Sequence, residues 1–159
     1  MTRRLLLALL FAMPIMLYPP GAHAQTVAQP ELPKEALSIT TRDGRKHDFQ
    51  VEMAMTGAQQ TVGLMFRTSV PETGGMLFDW GTPRDSTMWM RNTVSPLDML
   101  FINEDGTIRR IAEDTVPESL AIIESHGPVR ATLELAAGTA KRLGIRVGDK
   151  VRARIFAAP

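Results

Sequence analysis

The first pattern along the chain is an apolar run from Leu5 to Met13 behind a basic start, Met1-Thr-Arg-Arg. Pro14 interrupts the run, and Ala22-His23-Ala24 closes the segment with a small-x-small pattern. A basic start, a short apolar stretch and a small-residue site together read as a secretory signal peptide over residues 1–24. The run is shorter than the roughly 20 residues that cross a bilayer. The expected mature protein is therefore exported, periplasmic or secreted, with no stable membrane anchor left after cleavage. Gln25 to Lys34 is poor in apolar residues and carries Pro30 and Pro33, so 25–35 is expected to be a flexible spacer. One globular domain is expected over 36–157.

Within that domain the pattern turns to period two. Leu37-Ser-Ile-Thr-Thr and Asp48 to Met55 flank Asp43-Gly44, a strong hairpin signal. Phe49, Val51, Met53 and Met55 alternate onto one face. Thr56 with Gln59 three residues on forms a capping-box pattern, which predicts a helix over Gly57 to Phe66. Gly75 to Phe78 and Thr87 to Thr93 read as short strands. Leu97 to Ile102 is nearly all apolar and should be buried on both faces. Asn103 to Gly106 turns it into Thr107 to Ile111. Glu113 to Arg130 is polar, holds Pro117 and Pro128, and reads as a surface excursion. Ala131 to Leu135 is a strand, and Gly138 to Leu143 a helix that Gly144 ends. Val147 to Phe156 is the last strand, with Val151, Ala153 and Ile155 inward and Lys150, Arg152 and Arg154 on a solvated face. The connections are too short for repeated βαβ units. The expected fold is α+β and mainly β: a small antiparallel or mixed barrel, or a curled sheet, with two short helices.

Composition narrows the chemistry. The chain has no Cys, so disulfides and thiolate metal sites are excluded. His47 and His126 are the histidines left after residue 24, too far apart in sequence to suggest a zinc site. Cleavage removes Arg3 and Arg4, leaving 16 basic against 17 acidic residues and a net charge of −1. That balance gives no electrostatic reason to expect nucleic acid as a partner. No nucleophile elbow, phosphate loop or metal-ligand helix is present, and no cofactor is expected.

Three segments stand out: Gly63-Leu-Met-Phe-Arg67, Gly75-Met-Leu-Phe78, and Met88-Trp-Met-Arg-Asn-Thr93 followed by Pro96-Leu-Asp98. With Leu133-Glu-Leu135, Ala137-Gly138 and Gly148-Asp149, they resemble the family catalogued as domain of unknown function 192 over about residues 38–156. That resemblance implies no activity. Met88 stands where an aromatic residue is expected and Arg91 where Lys is common. The stretch Ala140 to Val151 also looks like the helix–Gly-Ile–Gly-Asp–strand element of double-psi and related cradle-loop barrels, which bears on fold alone.

The polar residues of these segments are the candidate site. Arg67, Trp89, Arg91, Asn92, Thr93 and Asp98 are candidates to bind a small or polymeric polar ligand near residues 89–98. Asp98 opens a buried strand, where a carboxylate needs a partner. It either forms a structural ion pair with Arg67 or Arg91 while Asn92 pins a turn, or it joins them at a pocket mouth. An enzyme is the alternative to a binding or accessory module: a hydrolase of envelope carbohydrate with Asp98 and Glu134 as paired carboxylates, about 5–10 Å apart. Glu134, between Leu133 and Leu135, is expected to face solvent. Seven methionines, Met53, Met55, Met65, Met76, Met88, Met90 and Met99, lie close together in sequence. They read as fillers of an irregular core. A soft-metal or methionine-redox module is the third alternative, with Met88 and Met90 on one strand face as its ligands.

Overall fold

The computed structural model describes residues 27–156. The expected signal peptide lies outside the described residues. The elements run β1 (Lys34–Thr40), β2 (Lys46–Ala54), α1 (Gly57–Val62), β3 (Gly74–Met88), β4 (Leu97–Ile102), β5 (Ile108–Ala112), β6 (Ile123–Ala136), α2 (Thr139–Leu143) and β7 (Lys150–Arg152), then a 3-10 turn at Arg154–Phe156. The seven strands form one mixed sheet in the order β5-β4-β6-β3-β2-β1-β7. β2 and β3 are parallel, and the other neighbours antiparallel. A bridge between Thr107 and Lys150 brings the two ends of that order together. The sheet is therefore curled into a half-barrel with two short helices, the expected fold class.

The local rules account for much of this. The Asp43-Gly44 turn closes the β1–β2 hairpin, with Gly44 N–H donating to Thr41 O at 2.9 Å. The capping box forms at α1: Thr56 Oγ1 accepts from Gln59 N, and Gln59 Oε1 accepts from Thr56 N. α1 stops at Val62, four residues earlier than Phe66, because Gly63 leaves the helix at φ 51°. Met55 is exposed and does not continue the apolar face of β2, since the strand ends at Ala54 and the chain turns into the α1 cap. β4 is buried at all six positions, as its sequence predicts.

Four expectations are corrected. Thr87 to Thr93 is not a strand: residues 87 and 88 end β3, and a turn follows. The supposed excursion 113–130 contains the first half of β6. The last strand is only Lys150–Arg152, although Ala153 and Ile155 still pack on the core. Of the expected spacer, residues 34 and 35 belong to β1, and the segment before them is tied down. Gln29 Nε2 donates to Gly63 O at 2.9 Å, and Leu32 N to Glu52 Oε2 at 2.8 Å.

Both faces of the sheet are covered. Inside the curl lie Leu37, Ile39, Phe49, Val51, Leu77, Leu100, Ile102, Leu133 and Leu135, with Ala140 and Ile145 beside them. The opposite face carries Met76, Phe78, Leu97, Met99 and Phe101, packed with Leu64, Met90 and Val129. The alternation of Met76, Leu77 and Phe78 between these two groups is the strand period written into side chains.

Candidate functional site

Two of the three sequence motifs meet on the outer face of the sheet. Gly63–Arg67 leaves α1, and residues 88–93 leave β3. Phe66 and Asn92 both adopt left-handed backbone, at φ 62° and 56°. Phe66 N–H donates to Asn92 O at 2.8 Å, so the two turns are joined. Asn92 Nδ2 also approaches Met65 Sδ at 3.9 Å. A third loop braces them: Met90 N–H donates to Ser119 O, and Glu118 N–H to Thr93 O, each at 3.0 Å. Left-handed non-glycine residues are held against their preference and tend to gather at functional sites.

Beneath these turns lies a cavity of about 60 Å³. Its walls include Leu64, Met65, Phe78, Met88 and Trp89, with Gln60, Thr61, Thr87 and Thr93 among them, and Glu134 in its lining. Glu134 does point away from Leu133 and Leu135, as strand alternation requires. It is not on an open face, because the turns cover that side; it is 4 % exposed. No described residue hydrogen-bonds its carboxyl. Burial alone pushes its pKa up to about 8, since nothing nearby compensates the charged form. It is the one titratable group among the residues that line this cavity.

Of the expected site residues, Trp89 and Thr93 join Glu134 here. Trp89 is 42 % exposed, and the Arg91 guanidinium lies over its ring at 5.5 Å. Asn92 shapes the turn through its backbone. Arg67 goes elsewhere: its Nη2 pairs with Glu52 Oε2 at 3.0 Å and donates to Gln29 O at 3.3 Å. That pair lines a larger cleft of about 410 Å³ with Glu31, Lys34, Thr68 and Thr73. In the larger cleft Arg67 and Glu52 pair, although the Arg67 Nε is left without a partner, whereas in the smaller cavity the Glu134 carboxyl has no ion-pair partner at all among the described residues.

Asp98 pairs with neither arginine. It is fully buried, and its carboxylate accepts the N–H groups of Asp114 at 2.9 Å, Gly138 at 3.2 Å and Ala140 at 2.8 Å. It thus ties β4 to the start of α2. Asp98 is opposite Leu135 in the β4–β6 register, and Glu134 is opposite Met99. The two carboxylates therefore point to opposite faces of the sheet and share no pocket. Met88 and Met90 do not lie on one strand: β3 ends at Met88, and Met90 sits in the turn beyond it, both packing on the outer-face cluster. Met88 lines the cavity, while Met90 is fully buried, its sulfur accepting from Thr115 Oγ1 at 3.1 Å.

Gln60, Met65 and Thr87 complete the cavity and escaped the sequence reading of the site. Gly75 lines the larger cleft and sets the spacing of β3 against β6 next to Glu134. Its φ is 153°, and a Cβ there would run into the carbonyl oxygen of Glu134. That close approach of β3 to β6 explains why the Gly75-Met-Leu-Phe78 motif opens on glycine.

The sequence matches domain of unknown function 192, described as an uncharacterized ACR, over residues 38–153. No curated protein matches it. Two crystal structures are similar. One, from Sinorhizobium meliloti, is described as a candidate transcription regulator and is 50 % identical, with a TM-score of 0.76 over 79 % of this chain and 97 % of its own. The other is a protein of unknown function from Novosphingobium aromaticivorans, 40 % identical, with a TM-score of 0.75 over 82 % of this chain and 94 % of its own. With the motifs in order through the whole sheet and the match running nearly end to end of the described domain, the chain belongs to the domain of unknown function 192 family.

Proposed function

We propose that this protein is an exported binding module of the cell envelope whose ligand enters the cavity under Trp89 and engages Glu134. One observation carries this reading: a buried carboxyl that no other group of the described chain satisfies. Buried polar groups in folded proteins are nearly always hydrogen-bonded, so an unsatisfied one points to a partner from outside. Binding is favoured over hydrolysis because a two-carboxylate mechanism needs a second carboxylate in the same pocket. Asp98 faces the other side of the sheet and is committed to three backbone N–H groups. The regulator description of the Sinorhizobium relative carries no DNA reading here: the net charge expected after cleavage is −1, and α1 and α2 have only six and five residues.

The two tryptophans provide the test. Trp89 borders the cavity, whereas Trp80 Nε1 donates to Thr132 Oγ1 at 3.2 Å and serves as an internal reference. In nitrogen-15-labelled protein, small polar fragments of differing charge should shift the Trp89 indole signal and leave the Trp80 signal in place. Fragments that bind without moving Trp89 would remove the cavity from consideration.

A further inference from the structure

We infer that the group recognised at Glu134 is an alkylammonium cation, the charged end of a primary amine; this rests on the binding reading above. The hydrogen-bonding capacity left in the cavity lining is mostly of the accepting kind, the Trp89 indole N–H and the Thr87 hydroxyl being the donors not spent on the described chain. Both N–H bonds of the Gln60 amide are used, on Ala54 O at 3.1 Å and Asp79 O at 2.7 Å, which leaves its oxygen. The Thr61 hydroxyl donates to Gly57 O, and the Thr93 hydroxyl to Arg91 O, which leaves their lone pairs. Glu134 adds two carboxyl oxygens. A site rich in acceptors calls for a guest rich in donors, and an ammonium group offers three and accepts none.

The walls suit the same guest. Phe78, Trp89, Met65 and Met88 present aromatic and thioether surface. Such surface attracts a cation through the negative faces of the rings while stripping its water. The volume of about 60 Å³ has room for about four or five water-sized groups, which is an ammonium with a short stem. Among the described residues no cation occupies the role. Arg91, the charged residue of the covering turn, lies exposed over the ring of Trp89, and from α1, β3, β4 and β6 no other titratable side chain lines the cavity.

The proton makes the inference testable. Glu134 holds a proton up to about pH 8 in the empty protein. A bound ammonium stabilises the ionised carboxylate, so binding expels that proton into solvent. Affinity for a cation must then rise about tenfold per pH unit below pH 8 and level off above it. A neutral ligand that accepts a hydrogen bond from the protonated acid behaves oppositely and is lost above pH 8.

The experiment titrates the mature protein with n-propylammonium chloride and, separately, with n-propanol, reading the Trp89 indole signal from about pH 6 to about pH 8. The expected result is saturable binding of propylammonium that strengthens about tenfold per unit, at least about tenfold weaker binding of propanol, and loss of propylammonium binding in Glu134→Gln. Dispersed backbone amide signals report that the variant is folded, and the pH series on the unaltered protein stands without the variant. Propanol binding as well as propylammonium, or binding that weakens as pH rises, would overturn the cation and leave the pocket. Failure of both probes to shift Trp89 would overturn the inference and the pocket together.

Discussion

Asp98 and Glu134 are both carboxylates buried in strands of the same sheet, and their surroundings give them opposite properties. Asp98 accepts three backbone N–H bonds, and hydrogen bonds to a charged group contribute about 1.5–3 kcal/mol each. Asp98→Asn turns one acceptor into a donor facing donors, and should lower the unfolding free energy by about 2–4 kcal/mol in urea at neutral pH. Glu134 works against the fold. Its native pKa of about 8 lies above the ordinary value of 4.5, so its contribution is harmless below that ordinary value. As pH rises from 4.5 to about 8, the unfolded chain is ionised while the folded one retains the proton, and stability falls by about 1.4 kcal/mol per unit. Glu134→Gln should flatten this slope and raise the urea midpoint at about pH 7.5. A midpoint that drops in the Gln variant would mean that the carboxyl holds the fold together. The sequence showed that both residues interrupt apolar strands. It could not separate them, because strand alternation says which way Glu134 points but not that two turns, about forty and about seventy residues away in sequence, roof that side over.

At the scale of elements, what was legible is what is local. The Asp43-Gly44 hairpin, the Thr56–Gln59 capping box and the Gly144 helix end each depend on a few neighbouring residues, and each is present. The apolar run of β4 also declared itself. The extensions of β3 and β6 did not. Gly81 to Asp85 is exposed and polar, and so is much of Glu124 to Pro128; they are strands only because they pair with each other across a gap in the sequence. Pairing energy supplied from a distant segment leaves no periodicity to read. The outer end of this pair also carries register shifts, which accommodate Pro83. Gly75 is the tightest point between these two strands. Gly75→Ala would push β3 off the Glu134 carbonyl at a backbone position that L side chains rarely adopt, and should cost more than about 1–3 kcal/mol. Thermal melts of Gly75→Ala beside Gly44→Ala, where nothing lies within 4 Å of the added carbon, separate crowding from backbone preference.

The whole molecule is a sheet sealed by its last strand. β7 pairs with β1 through Ile39 and Val151, and Val151 N–H reaches Gly106 O at 2.8 Å just before β5. Three residues near the C-terminus thus join the first strand to the middle of the chain. Native-state hydrogen exchange should find the slowest amides in the central strand β6 around Leu133, buried on both faces and flanked by β3 and β4, and faster ones in β7. N-terminal sequencing of the exported form is expected to begin at Gln25; a soluble pool still carrying Met1 in the cytoplasm would defeat export. If export occurs, the position of β7 has a consequence for timing. A chain threaded through a translocation channel from its N-terminus has every other strand on the far side before β7 arrives. The half-barrel cannot close until β7 has crossed, so the curl stays open while the strands before it pass through and the arrival of β7 becomes the event that locks the fold.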